Sequence, residues 1–443
     1  MIESILFKEI EIVSGSTIKT GDVLVKNGKI VEVGWDLPDH AEHIVSDSGL
    51  VLMPGVIDPH VHFRDPGAEY KEDLESGSKA AASGGVTSFF DMPNNTPATT
   101  SAAAVAHKKK LASEKSIVNY NFYIGATLNN LDDLNECSNV PGIKIFMGSS
   151  TGSLLVDRKE DLAHIFAKGS RLIAVHAEDE EMVQDNKRRF IDSTDPADHM
   201  LIREDAAALK ATKLAVSLAK KYKRRLHILH LTTIEEALFL EHQGASGLVT
   251  SEVSPQHFLL WGPEVYARLG TLAQINPPIR TKRHADGLWR ALKSGVINCI
   301  ATDHAPHTLE EKLKPFGTAP SGMPGVETSL PLMLSLVNQN RCTMKDVVRW
   351  MCEGPAEIFG IRGKGKIEVG FDADLVLVDM GARTVLRNSS TVSRCGWTAF
   401  DGHKIQGIPI ATFVNGQMVY REGDFFTEIK GKEIEIAAPW DKR

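Results

Sequence analysis

The segment Asp58-Pro59-His60-Val61-His62-Phe63-Arg64-Asp65-Pro66-Gly67 sets two histidines two residues apart at the end of the apolar run 50–57. A short apolar run of this kind predicts a buried strand, and residues i and i+2 of a strand project to the same face. Both imidazoles can then reach one metal ion, as nitrogen ligands of a borderline-soft cation. Arg64 continues that face, where a guanidinium fork suits a substrate carboxylate. A His-x-His pair also arises by chance, so its meaning depends on what the rest of the chain brings to it. Later segments bring Lys144, His176 followed by Glu178, His230 and Asp303, each at or near the end of an apolar stretch.

Those stretches belong to an alternating pattern. Strand candidates lie at 56–62, 86–92, 120–126, 143–147, 172–176, 226–231, 248–252 and 296–302, with helical patterns between most of them, the clearest over 203–223. Alternating strands and helices predict a parallel sheet, and eight repeats predict a closed (β/α)8 TIM barrel. An open doubly wound sheet is the alternative, but no GxGxxG turn follows a strand. Both ends of the chain read as strands, with hairpin turns at Asn27-Gly28 and Asn415-Gly416. Neither end supports a core alone, so residues 1–53 and 366–443 are expected to pair into one small composite β-sandwich domain around a barrel of residues 54–365. In a barrel all strand C-termini open on one face. Four histidines, a lysine and an aspartate meeting there exceed the ligands of one zinc and suit a pair of metals. An ammonium is a poor ligand. Lys144 can join only if it is neutral or carries a carbamate, whose two oxygens could bridge two metals. Burial near cations favours the neutral amine; a surface or salt-bridged lysine is the alternative.

At 443 residues the chain accommodates one barrel and an appendage. Its 42% apolar and 24% charged residues are ordinary for a soluble globular protein. Fifty basic against 57 acidic residues argue against a nucleic-acid or anionic-membrane surface. The run Lys108-Lys109-Lys110 is expected to be a solvated helix face. Five scattered cysteines read as reduced thiols of a cytoplasmic protein. No leader pattern and no bilayer-length apolar run is visible.

The motifs Asp58–Gly67, Asp91-Met92-Pro93-Asn94, Asn276-Pro277-Pro278-Ile279-Arg280 and Thr302-Asp303-His304-Ala305-Pro306-His307 resemble those of the dihydroorotases, within the amidohydrolase superfamily. The resemblance runs from the N-terminal β segment to residues 411–420. It implies that His60, His62 and Asp303 hold one zinc, that His176 and His230 hold a second, and that carboxylated Lys144 bridges them. Gly142-Ile143-Lys144 is similar to the lysine-bearing branch; many bacterial relatives carry aspartate there. The resemblance further implies that Arg64, Asn94 and His307 grip the substrate carboxylate, with Asn276 and Gly322 near the ring. Ser321 stands where the family commonly has phenylalanine.

The reaction implied is reversible interconversion of N-carbamoyl-L-aspartate and dihydroorotate in pyrimidine biosynthesis. A zinc-activated water attacks the carbonyl and Asp303 shuttles the proton to the ring nitrogen. A small-molecule substrate, a homodimer and an association with aspartate transcarbamoylase complete the expectation. Hydantoinase and allantoinase are the competing enzymes, and their substrates lack the ring carboxylate that Arg64 and Asn94 would serve. A non-catalytic structural subunit is the other alternative, and it would be expected to lose metal ligands.

Overall fold

The computed structural model describes residues 2–15, 17–47, 49–149, 154–243 and 247–437. The proposed C-terminal boundary at 443 therefore lies outside the described residues. Five strands open the chain: β1 (Ser4–Ser14), β2 (Thr17–Lys26), β3 (Lys29–Gly34), β4 (His43–Ser46) and β5 (Leu50–Pro54). Nine short strands follow: β6 (Val56–Val61), β7 (Val86–Asp91), β8 (Asn119–Phe122), β9 (Ile124–Gly125), β10 (Ile143–Phe146), β11 (Ile173–His176), β12 (Leu226–Ile228), β13 (Val249–Val253) and β14 (Cys299–Ile300). Four close the chain: β15 (Leu375–Val385), β16 (Lys404–Val414), β17 (Gln417–Arg421) and β18 (Asp424–Phe425).

The middle strands form the barrel. β6, β7 and β8 run parallel, as do β9 to β14. β8 and β9 are two halves of one stave interrupted at Tyr123, β8 pairing with β7 and β9 with β10. The ring closes between first and last staves. Val61 bridges His304, His62 N donates to His304 O at 2.8 Å, and Thr302 Oγ1 donates to buried Asp58 at 2.6 Å. Staves covered on both faces read as near-continuous apolar runs rather than alternating ones, and Ile173, Ala174 and Val175 of β11 are all buried. The helix expected over 203–223 spans Asp205–Tyr222 and buries an alanine-rich face that includes Ala208, Ala211, Ala215 and Ala219. It stops at Lys223, whose φ of 52° turns the chain left-handed.

The two chain ends share one nine-stranded sheet, ordered β18-β17-β16-β15-β5-β1-β2-β3, with β4 on β1. β5 is the seam: antiparallel to β15 on one side and parallel to β1 on the other. Both Asn-Gly turns take positive φ at both residues, the backbone of a tight hairpin whose twist matches its strands. Phe7 on β1 and Phe413 on β16 are three strands apart, which would separate them by about 14 Å in a flat sheet. Their ring centroids are 5.2 Å apart. The sheet therefore folds over on itself into a sandwich, bending at irregularities such as Phe7/Ile10 and Asp379/Arg383. After β18 the chain leaves this sheet and returns to the barrel, where Ile434 N donates to Tyr120 O at 2.9 Å. The excursion between β15 and β16 reaches the barrel mouth. Trp397 Nε1 donates to His307 O at 2.8 Å and Arg394 pairs with Asp73 at 2.6 Å.

One expectation from charge pattern is corrected. Lys108 does not lie on a solvated face: it is fully buried, ion-paired with Asp91, and donates to Met92 O at 3.1 Å. Successive helical residues turn by about 100°, so three adjacent lysines cannot share a face. One of them meets the buried carboxylate at the end of β7. All five cysteines are buried and free. Among the described residues, no helix is long and apolar enough to cross a membrane.

Candidate active site

The C-terminal ends of the staves converge as the barrel geometry requires. His60, His62, Lys144, His176, His230 and Asp303 line one narrow cleft, with Asn276 and Gly322 in its wall. His60 is fully buried, and its Nδ1 lies 2.6 Å from Glu252 Oε1 on β13. An ionised carboxylate only accepts, so Nδ1 carries the proton. The lone pair of Nε2 then faces the cleft, 3.2 Å from Asp303 Oδ1 and without a hydrogen-bond donor among the described residues. His62 repeats the arrangement: Nδ1 is 2.7 Å from Asn94 Oδ1, and Nε2 is 3.1 Å from the same Asp303 oxygen. His176 Nε2 donates to Glu178 Oε2 at 2.8 Å, leaving Nδ1 3.0 Å from His230 Nε2. Glu178 is fixed in turn by Arg203 at 2.5 Å.

The electrostatics keep these ligand atoms available. Burial lowers His62 to about 4, against the opposing pull of Asp303, and lowers His176 and His230 as well. His62, His176 and His230 are therefore neutral near pH 7, the state a metal requires. Burial pushes Asp303 up, but His60, His62 and Lys144 outweigh it and hold the carboxyl well below the usual range. Lys144 is fully buried, its Nζ lies 4.4 Å from the Phe146 ring centroid, and no hydrogen bond or ion pair holds it among the described residues. Burial lowers its pKa to about 7 despite the attraction of Asp303 and Glu252.

Unpartnered buried nitrogens on His60 and His230, with an ionised carboxylate between the two imidazoles of His60 and His62, make a donor set that fits divalent metal. Ligand atoms of His60, His230 and Asp303 lie within 4.8 Å of one another. Arg64, His230 and Asp303 all take positive φ, at 56°, 36° and 48°. Such backbone is strained for residues with a side chain and concentrates at functional sites.

That strain alters one expectation. β6 stops at Val61, so Arg64 does not continue the strand face of His60 and His62. Its left-handed backbone turns the side chain towards the loop after β14, where Nε donates to Pro306 O at 3.1 Å and Nη2 lies 3.3 Å from His307 Nε2. His307 also contacts Lys71 Nζ and Ser321 O, each at 3.1 Å. Burial, then Arg64, Lys71 and Lys312, drives the His307 pKa far below its ordinary value. Lys312 donates to Gln274 O and Pro320 O at 2.8 and 2.9 Å, clamping the loop that carries Ser321 and Gly322. Gly322 has a φ of 143°, and a Cβ there would stand 2.5 Å from Ala305 O, so only glycine fits. The Ser321 hydroxyl is 3.1 Å from Gln274 Nε2; its backbone carbonyl faces His307. Asn276 Oδ1 accepts from His199 Nε2 at 3.0 Å.

Sequence reasoning missed the groups that orient the ligands, namely Glu252 for His60 and Arg203 behind Glu178. It gave Asn94 to the substrate and did not foresee that the Asn94 carbonyl oxygen also holds His62. Glu252 had a signal: a carboxylate in a strand covered on both faces must have buried partners. Lys71 and His199 had none.

The Amidohydrolase family profile matches residues 51–419. A dihydroorotase of Methanosarcina acetivorans is 35% identical, the alignment covering 97% of this chain and 96% of the relative. A dihydroorotase of Pyrococcus furiosus is 32% identical over 94% of this chain and 92% of its own. Among solved structures, the L-hydantoinase of Arthrobacter aurescens superposes with a TM-score of 0.93 at 29% identity, covering 98% of this chain and 100% of its own. The dihydropyrimidinase of Brevibacillus agri gives 0.91 at 25% identity, over 99% and 100%.

Proposed function

The chain belongs to the amidohydrolase family and is a cyclic amide hydrolase; from that premise we propose that it interconverts N-carbamoyl-L-aspartate and (S)-dihydroorotate. One observation carries this choice among cyclic amides. Beside the metal-type donors lies a second, cationic end built from Arg64 and Lys71 around neutral His307, with Glu311 as the nearby counter-charge on Lys71. Arg64 is buried and no carboxylate pairs with it among the described residues, and a buried guanidinium without a counter-charge calls for an anion. A ring carboxylate supplies it, and hydantoin or allantoin does not.

His60, His62 and Asp303 would hold one zinc, His176 and His230 a second, with Lys144 between them. Zinc bound there acidifies water towards neutral pH and polarises the amide carbonyl. Lys144 suits a carbamate because its amine is neutral above about pH 7 and, among the described residues, has no salt bridge to give up. Arg64 and His307 orient the substrate through its carboxylate, and Asn276 and Gly322 shape the ring site. Asp303 accepts a proton from the attacking water and delivers it to the ring nitrogen as the C–N bond breaks; ring closure runs the same transfers in reverse. Asn94 keeps His62 in the ligating tautomer and borders the carboxylate end. A cytoplasmic location, a homodimer, contact with aspartate transcarbamoylase and the domain limits at 53/54 and 365/366 belong to the same proposal.

The hydantoinase reading is favoured by the structural likeness alone. Turnover of dihydroorotate, hydantoin and allantoin by the zinc-loaded protein separates the two. Preference for dihydroorotate supports the proposal, and hydantoin as the better substrate refutes it.

A further inference from the structure

Lys71 lies in the loop after β6 and has no part in the assignments above beyond its charge. Its Nζ stands 3.1 Å from His307 Nδ1 and 3.1 Å from Glu311 Oε1. An ammonium only donates, so Nδ1 of His307 must present its lone pair. The ring proton of neutral His307 is then on Nε2. That nitrogen lies 3.1 Å from the carbonyl oxygen of Ser321, which only accepts and so takes this proton. In that tautomer the approach of Arg64 Nη2 to Nε2 at 3.3 Å is not a hydrogen bond, because both atoms are donors. With the Nε2 proton committed to Ser321 O, Arg64 Nη2 has no acceptor among the described residues, and its N–H groups stay available to a carboxylate.

We infer that Lys71 is a specificity-determining residue that holds His307 in the Nε2–H tautomer, and so keeps the Arg64 guanidinium free for the substrate carboxylate. The inference rests on the functional reading above. Lys71 is a positioning residue: it acts on the substrate through His307. Without it, the imidazole can shift its proton to Nδ1, and Nε2 then accepts from Arg64 Nη2. That contact draws Arg64 Nη2 away from the carboxylate. Glu311 aims the ammonium, and Tyr70 Oη donates to Glu311 Oε1 at 3.0 Å to steady that carboxylate.

The test compares wild type, Lys71→Met, Lys71→Arg and Lys71→Met in a His307→Ala background, each zinc-loaded, on dihydroorotate and on dihydrouracil, the same ring without the carboxylate. Lys71→Met should lower kcat/KM for dihydroorotate about tenfold to hundredfold, chiefly through KM, and lower the dihydroorotate-to-dihydrouracil ratio by the same factor. Lys71→Arg, which still donates, should recover most of the loss. In the His307→Ala background Lys71→Met should add no more than about twofold. Equal losses on the two substrates, or losses that multiply independently of His307, overturn the inference. If wild type opens dihydroorotate and Lys71→Met matches it, this inference alone fails. If wild type opens dihydrouracil and leaves dihydroorotate untouched, the functional reading fails and takes the inference with it.

Discussion

Glu252 offers a quantitative test of how this barrel holds metal. Its Oε1 accepts from His60 Nδ1 at 2.6 Å and from the His230 backbone N at 3.2 Å, while Oε2 accepts from His227 Nε2 at 3.1 Å. Burial raises its pKa, but His60 and His227 outweigh burial and hold it at about 2. The carboxylate is therefore charged throughout the working pH range and keeps the proton of His60 on Nδ1. Glu252→Gln preserves shape but turns one oxygen into a donor. Wherever the amide nitrogen meets His60, donor faces donor unless the imidazole moves its proton to Nε2, which removes the ligating lone pair. Loss of such an outer partner lowers metal affinity about tenfold to hundredfold, or about 1.4–2.7 kcal/mol. Zinc competition against a chromophoric chelator measures this directly, with circular dichroism confirming that the variant is folded. Zinc binding as tight as wild type would refute the role given to Glu252, because the orphaned Nε2 of His60 would then owe nothing to it.

Three further outcomes follow from the same geometry. Asp303→Asn should retain the fold and lose at least about a hundredfold in kcat, the scale of general acid–base catalysis; a near-wild-type kcat contradicts the proton shuttle. Because burial lowers Lys144 to about 7, the neutral amine that adds carbon dioxide dominates above that pH and is lost below it. In metal-stripped protein incubated with ¹³C-bicarbonate, the carbamate resonance should therefore be strong at pH 8 and weak at pH 6, whereas equal signals would show that amine ionisation does not control it. Lys108→Met should destabilise the protein by about 3–5 kcal/mol in denaturant unfolding by leaving Asp91 buried without its cation; a loss under about 1 kcal/mol would mean that the pair contributes no more than a surface one.

The barrel was legible because its signals are local and repeated. Apolar runs, Asn-Gly turns and an alanine-faced helix each report their own structure, and a ring of eight follows from counting. The convergence of His60, His62, His176 and His230 on one cleft was legible because strand ends in a barrel share one face. Residues that answer to distant partners were not. Lys108 reads as surface until Asp91 is placed beside it, and Lys71 reads as a loop lysine until the chain returns some 236 residues later with His307. Arg64 was expected to extend a strand, but its positive φ sends it to a different neighbour. The folded-over sheet depends on register shifts in β1, β15 and β16, which alternation alone does not reveal.

The central claim is that one end of the cleft is built for a carboxylate while the other holds metal. It is tested most directly by kcat/KM of Arg64→Met on dihydroorotate and on dihydrouracil, measured with zinc content. Arg64 is buried, and removing a charged partner from a desolvated pair costs about 2–5 kcal/mol. The account predicts a loss of roughly thirtyfold to several thousandfold on dihydroorotate, little change on dihydrouracil, and unchanged zinc. Equal losses on both substrates, or full activity on dihydroorotate, would contradict it.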